Sequence, residues 1–236
     1  ILCRADKIIC ISRSVYNFFI DNTNLKKDKF FQIYYGIDYK FYDSFSNFEL
    51  ENFYKKNNLK KDEYIIGTIS RHVPQKNLQL LLISYKNFID KYNIPSKLIM
   101  VGDGKLNKQL KSKAKELSIE KSVIWINFYE NNSILFKVFN VFCLTSNYEG
   151  LGLVLLEGLS AKTPIIATNI SAIPEIIKNN YNGYLFEKNN FKQLSDLIFK
   201  VYNSDNSEIT NNGRKLIEEK FSLEKMSKNI SEIYQL

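Results

Sequence analysis

The sequence is poor in several residue types on which common classes of protein site depend. Its 236 residues include one His, three Cys, four Pro and four Arg. The cysteines, Cys3, Cys10 and Cys143, show no C-x-x-C spacing, which argues against a zinc site or a disulfide framework and fits a reducing cytosol. Asp-x-Asp, a Walker loop and a Gly-x-Ser-x-Gly elbow are also absent. Sites built on those motifs are therefore excluded.

Long apolar runs are absent as well. No stretch approaches the roughly 18 residues that a membrane-spanning helix needs, and runs such as 80–83 are short. The sequence given begins at Ile1 and does not open with a charged segment followed by an apolar one, the pattern of a signal peptide. We therefore expect a piece of a longer protein that is located in the cytoplasm, with peripheral contact at the inner face of the membrane left open.

The net charge of +8 is spread along the chain. It comes from 29 Lys and four Arg, with lysine doublets but no block of five or six basic residues. A nucleic-acid-binding domain more often clusters its charge and favours Arg for two-donor contacts, so we predict no nucleic-acid partner. The simplest interpretation is a solvated lysine surface. Attraction to an anionic membrane surface or to phosphorylated substrates is the alternative.

Apolar, β-branched runs alternate with amphipathic stretches, which predicts an α/β fold with a Rossmann-like parallel sheet and helices on both faces. We predict strands near residues 7–12, 31–34, 64–70, 97–101, 123–126, 141–144, 164–167 and 184–186. We predict helices near 77–92, 105–117, 131–138, 152–160, 173–179, 191–202, 207–220 and 223–234. Asn77 is expected to cap the first of these helices and Ser222 the last.

Residues 36–61 interrupt this pattern with an aromatic-rich, poorly periodic stretch. We interpret the stretch as a linker between part of a first domain and a complete second one. The strand–helix–strand piece at 1–35 is too small to bury a core alone, so it needs a partner. The predicted division is 1–45 for the remnant and linker, 46–221 for the second domain and 222–236 for a terminal helix.

The most informative motif follows the strand at 141–144 and reads NYEGLGLVLLEG. Gly150 and Gly152 lie at the turn from strand to helix, where a phosphate can approach backbone N–H groups and the positive end of the helix dipole. Glu157 lies inside the apolar helix, where a carboxylate needs a partner such as the diol of a sugar or ribose. Glu149 precedes the turn and is expected to face the same crevice. Capping or ion pairing of both glutamates is the structural alternative.

A second motif, SRHVPQKN, follows the strand at 64–70. Ligands of open α/β sheets bind beyond the carboxyl ends of the strands. Arg71 stands out in a chain that otherwise prefers Lys, and a guanidinium suits a phosphate held by two donors. Lys76 adds a second charge at the start of the next helix. His72, the sole histidine, is expected to be structural or positioning rather than a general base.

Two weaker signals follow the next strands. The turn at Val101-Gly102-Asp103-Gly104 either approaches a phosphate or is a plain tight turn. Asn127 and Phe128 are candidates to border a nucleobase. Since no metal-ligand cluster is found, Arg71, Lys76 and the helix terminus are expected to stabilise leaving-group charge without a metal or other cofactor.

Together these residues resemble glycosyltransferase family 4, whose members are retaining enzymes of the GT-B architecture. The resemblance spans nearly the whole chain and is carried by Arg71-x4-Lys76, the Val101–Gly104 turn, Glu149-x7-Glu157, and a later series with Pro164, Ile173-Pro174-Glu175 and Asn182-Gly183. It implies that 46–221 is the nucleotide-sugar donor domain of the C-terminal half, and that the last helix packs toward the first domain.

The resemblance also implies roles for single residues. Arg71 and Lys76 would hold the donor diphosphate, Glu157 the ribose and Glu149 the transferred sugar, with Arg71, Lys76 and Glu149 counted as catalytic. Backbone contacts would come from Gly150, Leu151, Gly152 and Leu153. Lys162 stands where the family usually has glycine, Ser171-Ala172 replaces a usual glycine pair, and Gly158 replaces a usual alanine.

The resulting hypothesis is a glycosyltransferase that moves a sugar, with retention, from a UDP- or GDP-sugar to a saccharide or lipid-linked acceptor in polysaccharide or glycan biosynthesis. We expect this chain alone to be inactive, because the acceptor-side residues are not in it. The alternative is a non-catalytic nucleotide-sugar-binding module or degenerate pseudoenzyme, which the glycine replacements at Lys162 and Ser171-Ala172 favour.

Overall fold

Two parallel sheets of unequal size form the framework of the protein. The structure is a computed structural model that describes residues 4–235. The small sheet pairs β1 (Ile8–Cys10) with β2 (Phe30–Gln32). Within the described residues the large sheet has six strands: β3 (Tyr64–Ile69), β4 (Ser96–Val101), β5 (Val123–Ile126), β6 (Val141–Leu144), β7 (Ile165–Thr168) and β8 (Tyr184–Phe186).

Ten α-helices connect and cover these strands in residues 4–235. They are α1 (Arg13–Asn22), α2 (Asn47–Lys56), α3 (Leu78–Tyr92), α4 (Asn107–Glu116), α5 (Asn132–Val138), α6 (Leu153–Ser160), α7 (Ile173–Ile176), α8 (Phe191–Tyr202), α9 (Ser207–Lys220) and α10 (Leu223–Tyr234). Short 3-10 turns occur at Tyr39–Tyr42 and Pro74–Lys76.

The order of strands in the large sheet is β5-β4-β3-β6-β7-β8, and every pair is parallel. The direction in which the chain adds strands reverses between β3 and β6. In open α/β sheets this reversal leaves a crevice at the carboxyl ends of the two central strands. The topology therefore places the loops after β3 and β6 side by side.

Each strand of the large sheet contributes side chains to both faces. Ile65 and Ile165 lie in the core beneath α5 and α6, whereas Ile66 and Ile166 lie in the core beneath α3 and α8. This alternation follows from the two-residue repeat of a strand, and burial on both faces explains the continuous apolar runs. The predicted α/β class and the eight strands are confirmed.

One helix was not predicted. The stretch interpreted as a linker contains α2, whose first turn is capped by Ser46: its Oγ accepts from the N–H of Glu49 at 3.4 Å. Phe53 is the buried residue of this helix, and its ring contacts Tyr129 at a centroid distance of 5.2 Å. Leu50 and Tyr54 pack beside Phe53, so the apolar stripe of this helix covers about one turn, which is too short for the sequence pattern to reveal. The boundaries at residues 45 and 221 stay predictions.

The predicted caps gave different outcomes. Ser222 caps α10, since its Oγ accepts from the N–H of Lys225 at 3.2 Å. The prediction for Asn77 was wrong, because this residue takes a left-handed φ of 46° after the Pro74–Lys76 turn and makes no side-chain cap bond. Its amide instead donates to Asn189 Oδ1 at 3.2 Å. The predicted helix at 173–179 ends at Ile176, since the next residue is extended.

Helix α10 lies against the small sheet. Lys7 Nζ donates to the carbonyl of Ile233 at 2.5 Å, and the N–H of Ile37 donates to the carbonyl of Phe221 at 2.8 Å. Among the helices described, none is both long enough and apolar enough to cross a bilayer.

Candidate functional site

The predicted site residues converge where the order of strands reverses. Two neighbouring cavities open there, of about 420 Å³ and about 310 Å³, and Arg71 lines both. The larger is also lined by Lys76, Glu149, Gly150, Leu151, Gly152, Leu153 and Glu157, and the smaller by Asn127 and Phe128. All ten predicted residues thus border one of the two cavities.

The larger of the two cavities also touches the small sheet. Ile11, which follows β1, and Tyr35, which follows β2, line it from that side. The sequence did not single out either residue, because nothing in its spacing shows that these two segments meet the loops after β3 and β6. The cavity therefore lies between the two parallel sheets.

A larger hollow of about 660 Å³ lies elsewhere, beside α2, and is lined by Asn47, Leu50, Glu51, Tyr54, Lys55, Leu59 and Lys61. It contains none of the predicted site residues. Position at the strand ends and the chemistry of the lining, rather than size, identify the candidate site.

The glycine turn before α6 has the geometry that the motif predicted. Gly152 takes a φ of 89°, which favours glycine, and the helix begins at the next residue. At Gly150, an added Cβ would make only ordinary contact, 3.5 Å from Ile11 Cδ1. The protein itself therefore does not require glycine at position 150. A missing side chain there leaves the backbone N–H groups open to a ligand in the cavity.

Lys76 and Glu149 form a nearly buried ion pair in this cavity. Lys76 Nζ lies 2.5 Å from Glu149 Oε1, and the Ser146 hydroxyl donates to the same oxygen at 2.6 Å. Their side chains are 13% and 7% exposed. The sequence assigned the lysine and the glutamate to different parts of a ligand, whereas the structure couples them. A ligand phosphate at Lys76 therefore competes with Glu149 or shares the ammonium with it.

Hydrogen bonds to backbone carbonyl groups join the loop after β3 to the loop after β6. The N–H of Asn147 donates to the carbonyl of Gln75 at 2.7 Å, and the Thr145 hydroxyl donates to the carbonyl of Lys76 at 2.9 Å. The Gln75 amide donates in turn to the carbonyl of Tyr148 at 3.0 Å. Arg71 is exposed at the start of the first of these loops.

Glu157 extends from α6 into the same cavity. Burial raises the pKa of its carboxyl above the usual value, while the neighbouring Asn132 and Tyr42 side chains oppose the shift. Asn132 Nδ2 donates to Glu157 Oε2 at 3.2 Å, and Asn132 also lines the smaller cavity. The sequence predicted that this carboxylate needs partners but did not identify Asn132.

His72 and the glycines of the 101–104 turn serve packing. An added Cβ at Gly102 would lie 1.9 Å from the carbonyl oxygen of Ser70, and at Gly104 it would lie 2.5 Å from that of His72. His72 is buried, its Nδ1 is hydrogen-bonded to Asn107, and burial lowers the pKa of its imidazole. Of the two interpretations of the glycine turn, the structure thus favours a tight turn.

No group of three or more His, Cys, Asp or Glu side chains within residues 4–235 is arranged to hold a metal ion. Independence from a metal stays a prediction.

Comparison with known proteins gives the family. The family model for glycosyl transferases group 1 matches residues 50–216. The capsular polysaccharide biosynthesis glycosyltransferase CapM of Staphylococcus aureus is 28% identical over 239 residues, covering 98% of this chain and 62% of the relative. This chain thus spans less than two thirds of the length of that relative.

Two solved structures share the fold. A glycosyltransferase of Rickettsia africae superposes with a TM-score of 0.90 at 24% identity, covering 100% of this chain and 64% of that one. The Anabaena protein HepE, in complex with UDP and glucose, superposes with a TM-score of 0.89 at 19% identity, covering 98% and 63%. The sheet and its helices are therefore those of a GT-B glycosyltransferase, and the chain belongs to the family of glycosyl transferases group 1.

Proposed function

We propose that this chain is the donor-binding part of a retaining glycosyltransferase. It would transfer a sugar from a UDP- or GDP-sugar to a saccharide or lipid-linked acceptor in polysaccharide or glycan biosynthesis. The observation that carries the proposal is the convergence of Arg71, the Lys76–Glu149 pair, the glycine turn and Glu157 on one cavity at the strand ends. The name of the CapM relative supports the class of pathway. Retention and family 4 membership rest on the motif resemblance.

Each group has a chemical task in this proposal. The Arg71 guanidinium binds diphosphate oxygens through two donors, and the first N–H groups of α6 bind them through the glycine turn. Glu157 accepts hydrogen bonds from the ribose hydroxyls. Glu149 contacts the transferred sugar, close to the bond that breaks. Arg71 and Lys76 stabilise the charge on the departing diphosphate, without a metal ion.

A degenerate, non-catalytic module is the second candidate, because three glycines of the family pattern are replaced, at Lys162, Ser171 and Ala172. The backbone keeps the conformation that favours glycine at two of the three positions, with φ of 57° at Lys162 and 47° at Ser171, whereas Ala172 has an ordinary φ of -82°. The chain therefore makes the turns that glycine favours at Lys162 and Ser171 even though glycine is replaced there. This observation favours the transferase over the degenerate module.

The test is ligand-dependent thermal stability of this chain with UDP and GDP, each with and without a chelator. At a ligand concentration roughly a hundredfold above the dissociation constant, mass action predicts about 2.7 kcal/mol of added stability. We expect one or both nucleotides to raise the unfolding temperature in chelator. Stabilisation that appears only with Mg²⁺ or Mn²⁺ would contradict the metal-free site.

Other parts of the proposal concern the whole protein. A cytoplasmic location stays a proposal based on the lack of C-x-x-C spacing among the cysteines. Contact with an anionic membrane surface and the lack of a nucleic-acid partner stay proposals based on the spread of lysines. Inactivity of the chain alone is likewise a proposal, supported by its partial coverage of its relatives.

A further inference from the structure

The Glu149 carboxylate is held through only one of its two oxygens. Lys76 Nζ lies 2.5 Å from Oε1, and the Ser146 hydroxyl donates to the same atom at 2.6 Å. Among residues 4–235, no hydrogen-bond donor lies within reach of Oε2. Glu149 lines the larger cavity at the strand ends, so Oε2 is the oxygen that remains to accept from a ligand there.

Ser146 is placed to hold Glu149 without touching a ligand. Its side chain is fully buried, and it is not among the residues that line either of the two cavities at the strand ends. The residues on either side of it, Thr145 and Asn147, donate to carbonyl groups of the loop after β3 at 2.9 Å and 2.7 Å. The hydroxyl that meets Glu149 therefore belongs to a short stretch of chain that is hydrogen-bonded on both sides.

The two partners of Glu149 differ in what else they can bind. Lys76 lines the larger cavity and its ammonium has three donors, so a diphosphate there takes the ammonium from Glu149 or shares it. The Ser146 hydroxyl has a single donor and, because it is buried, it faces no ligand. Its bond to the carboxylate is charge-assisted and therefore strong. With a diphosphate bound, Ser146 is thus the partner that keeps Glu149 in place.

We propose that Ser146 is a positioning residue for Glu149, which keeps Oε1 occupied and leaves Oε2 to accept from the hydroxyls of the transferred sugar. This inference rests on the proposed function, in which Glu149 contacts that sugar. Ser146 itself does not touch the donor. The segment at the end of β6 thereby helps the site to distinguish a nucleotide sugar from the free nucleotide, through a hydroxyl inside the protein.

Calorimetric titration with UDP and with UDP-glucose tests the proposal, because only the second ligand carries a sugar. If UDP-galactose, UDP-N-acetylglucosamine or GDP-mannose gives a larger thermal shift, that nucleotide sugar and its own nucleoside diphosphate are the probes. Ser146→Ala removes one hydroxyl, so we expect the nucleotide sugar to bind about three- to tenfold more weakly relative to the nucleoside diphosphate. The ratio of the two affinities cancels any change in the diphosphate contacts, since both ligands make them.

Ser84→Ala is the matched control, because it also removes a buried hydroxyl that makes one hydrogen bond. Ser84 Oγ donates to the carbonyl of Leu80 within α3 at 2.8 Å, and Ser84 lines neither cavity at the strand ends. The ratio of the two affinities should therefore stay at the wild-type value in this variant. Thermal unfolding of each variant, measured in parallel, establishes that the protein is folded.

A double variant shows whether Ser146 acts through the carboxylate. Glu149→Ala alone should lower the ratio of affinities at least as far as Ser146→Ala does. When Ser146→Ala is added to Glu149→Ala, the ratio should fall no further, because no carboxylate is left to be positioned. An effect of Ser146→Ala that is equally large with and without Glu149 would overturn the proposal.

The single variants distinguish failure of the positioning role from failure of the proposed function. If Glu149→Ala lowers the ratio and Ser146→Ala does not, the positioning role is wrong while the contact of Glu149 with the sugar stands. If Glu149→Ala leaves the ratio unchanged, that contact is wrong, and the positioning role fails with it. Weakening of both ligands by the same factor in Ser146→Ala would indicate a general disturbance of the site and would also overturn the proposal.

Discussion

At the scale of single residues, two of the four arginines stand out. Arg214 of α9 binds two carboxylates and two carbonyl groups at once, and Arg71 lies at the edge that two cavities share. Lysine supplies the rest of the positive charge as a flexible point charge on the surface. The rarity of arginine in a lysine-rich chain singled out Arg71 in the sequence. The same rarity applies to Arg214, which the sequence analysis did not consider.

Arg71→Lys tests whether two donors are needed at the shared edge. One ammonium cannot bind two phosphate oxygens in the fork geometry, so we expect a loss of about 1–3 kcal/mol in UDP binding. Because Arg71 is exposed, the unfolding temperature of the free protein should stay unchanged. Lys105→Arg provides a control at another exposed position. Equal affinity of Arg71→Lys and the wild type, measured by calorimetry, would show that Arg71 is only a surface charge.

At the scale of elements, periodic segments were predictable and isolated contacts were not. The strands β3 to β8 are buried on both faces, so each gives a continuous apolar run in the sequence. In α2 only Phe53 is fully buried, and Leu50 and Tyr54 beside it make an apolar stripe of about one turn. The hydrogen bond from Asn132 to Glu157 joins two different helices, and no local pattern indicates it. The position of the site could be predicted from the order of the elements along the chain. The hydrogen-bond partners of its side chains could be identified only from the structure.

The end of α6 carries a testable strain. Lys162 takes a φ of 57° just after the helix, and a left-handed conformation costs a non-glycine residue roughly 1–2 kcal/mol. Replacing Lys162 with glycine removes this cost. Part of the resulting gain in stability is lost, because glycine makes the unfolded chain more flexible. We therefore expect Lys162→Gly to stabilise the protein by about 0.5–1 kcal/mol in urea unfolding.

A matched lysine on a regular helix gives the opposite expectation. Lys215 is exposed within α9, and Lys215→Gly should destabilise the protein by about 1 kcal/mol. If Lys162→Gly destabilised the protein as much as Lys215→Gly does, the strain at the end of α6 would be refuted.

At the scale of the whole molecule, the larger cavity at the strand ends depends on both sheets. Ile11 and Tyr35 form one wall, and the loops after β3 and β6 form the other. Glu175 links the two sides: its carboxylate accepts from the N–H groups of Arg13 and Ser14 at 2.8 Å each. Those donors begin α1, where a carboxylate is favoured by the helix dipole. The small sheet is thus fixed against the large one beside the site.

The central claim is that two glutamates of one motif bind different parts of a nucleotide sugar, and calorimetry with UDP and UDP-glucose tests it most directly. Glu157→Gln should weaken the binding of both ligands by a similar factor, about tenfold or more, because both contain the ribose. Glu149→Gln should not weaken the binding of UDP, since UDP lacks the sugar and loss of the carboxylate charge frees Lys76 for the diphosphate. The same variant should bind UDP-glucose more weakly relative to UDP than the wild type does. Loss of UDP binding in Glu149→Gln, with UDP binding kept in Glu157→Gln, would contradict the account.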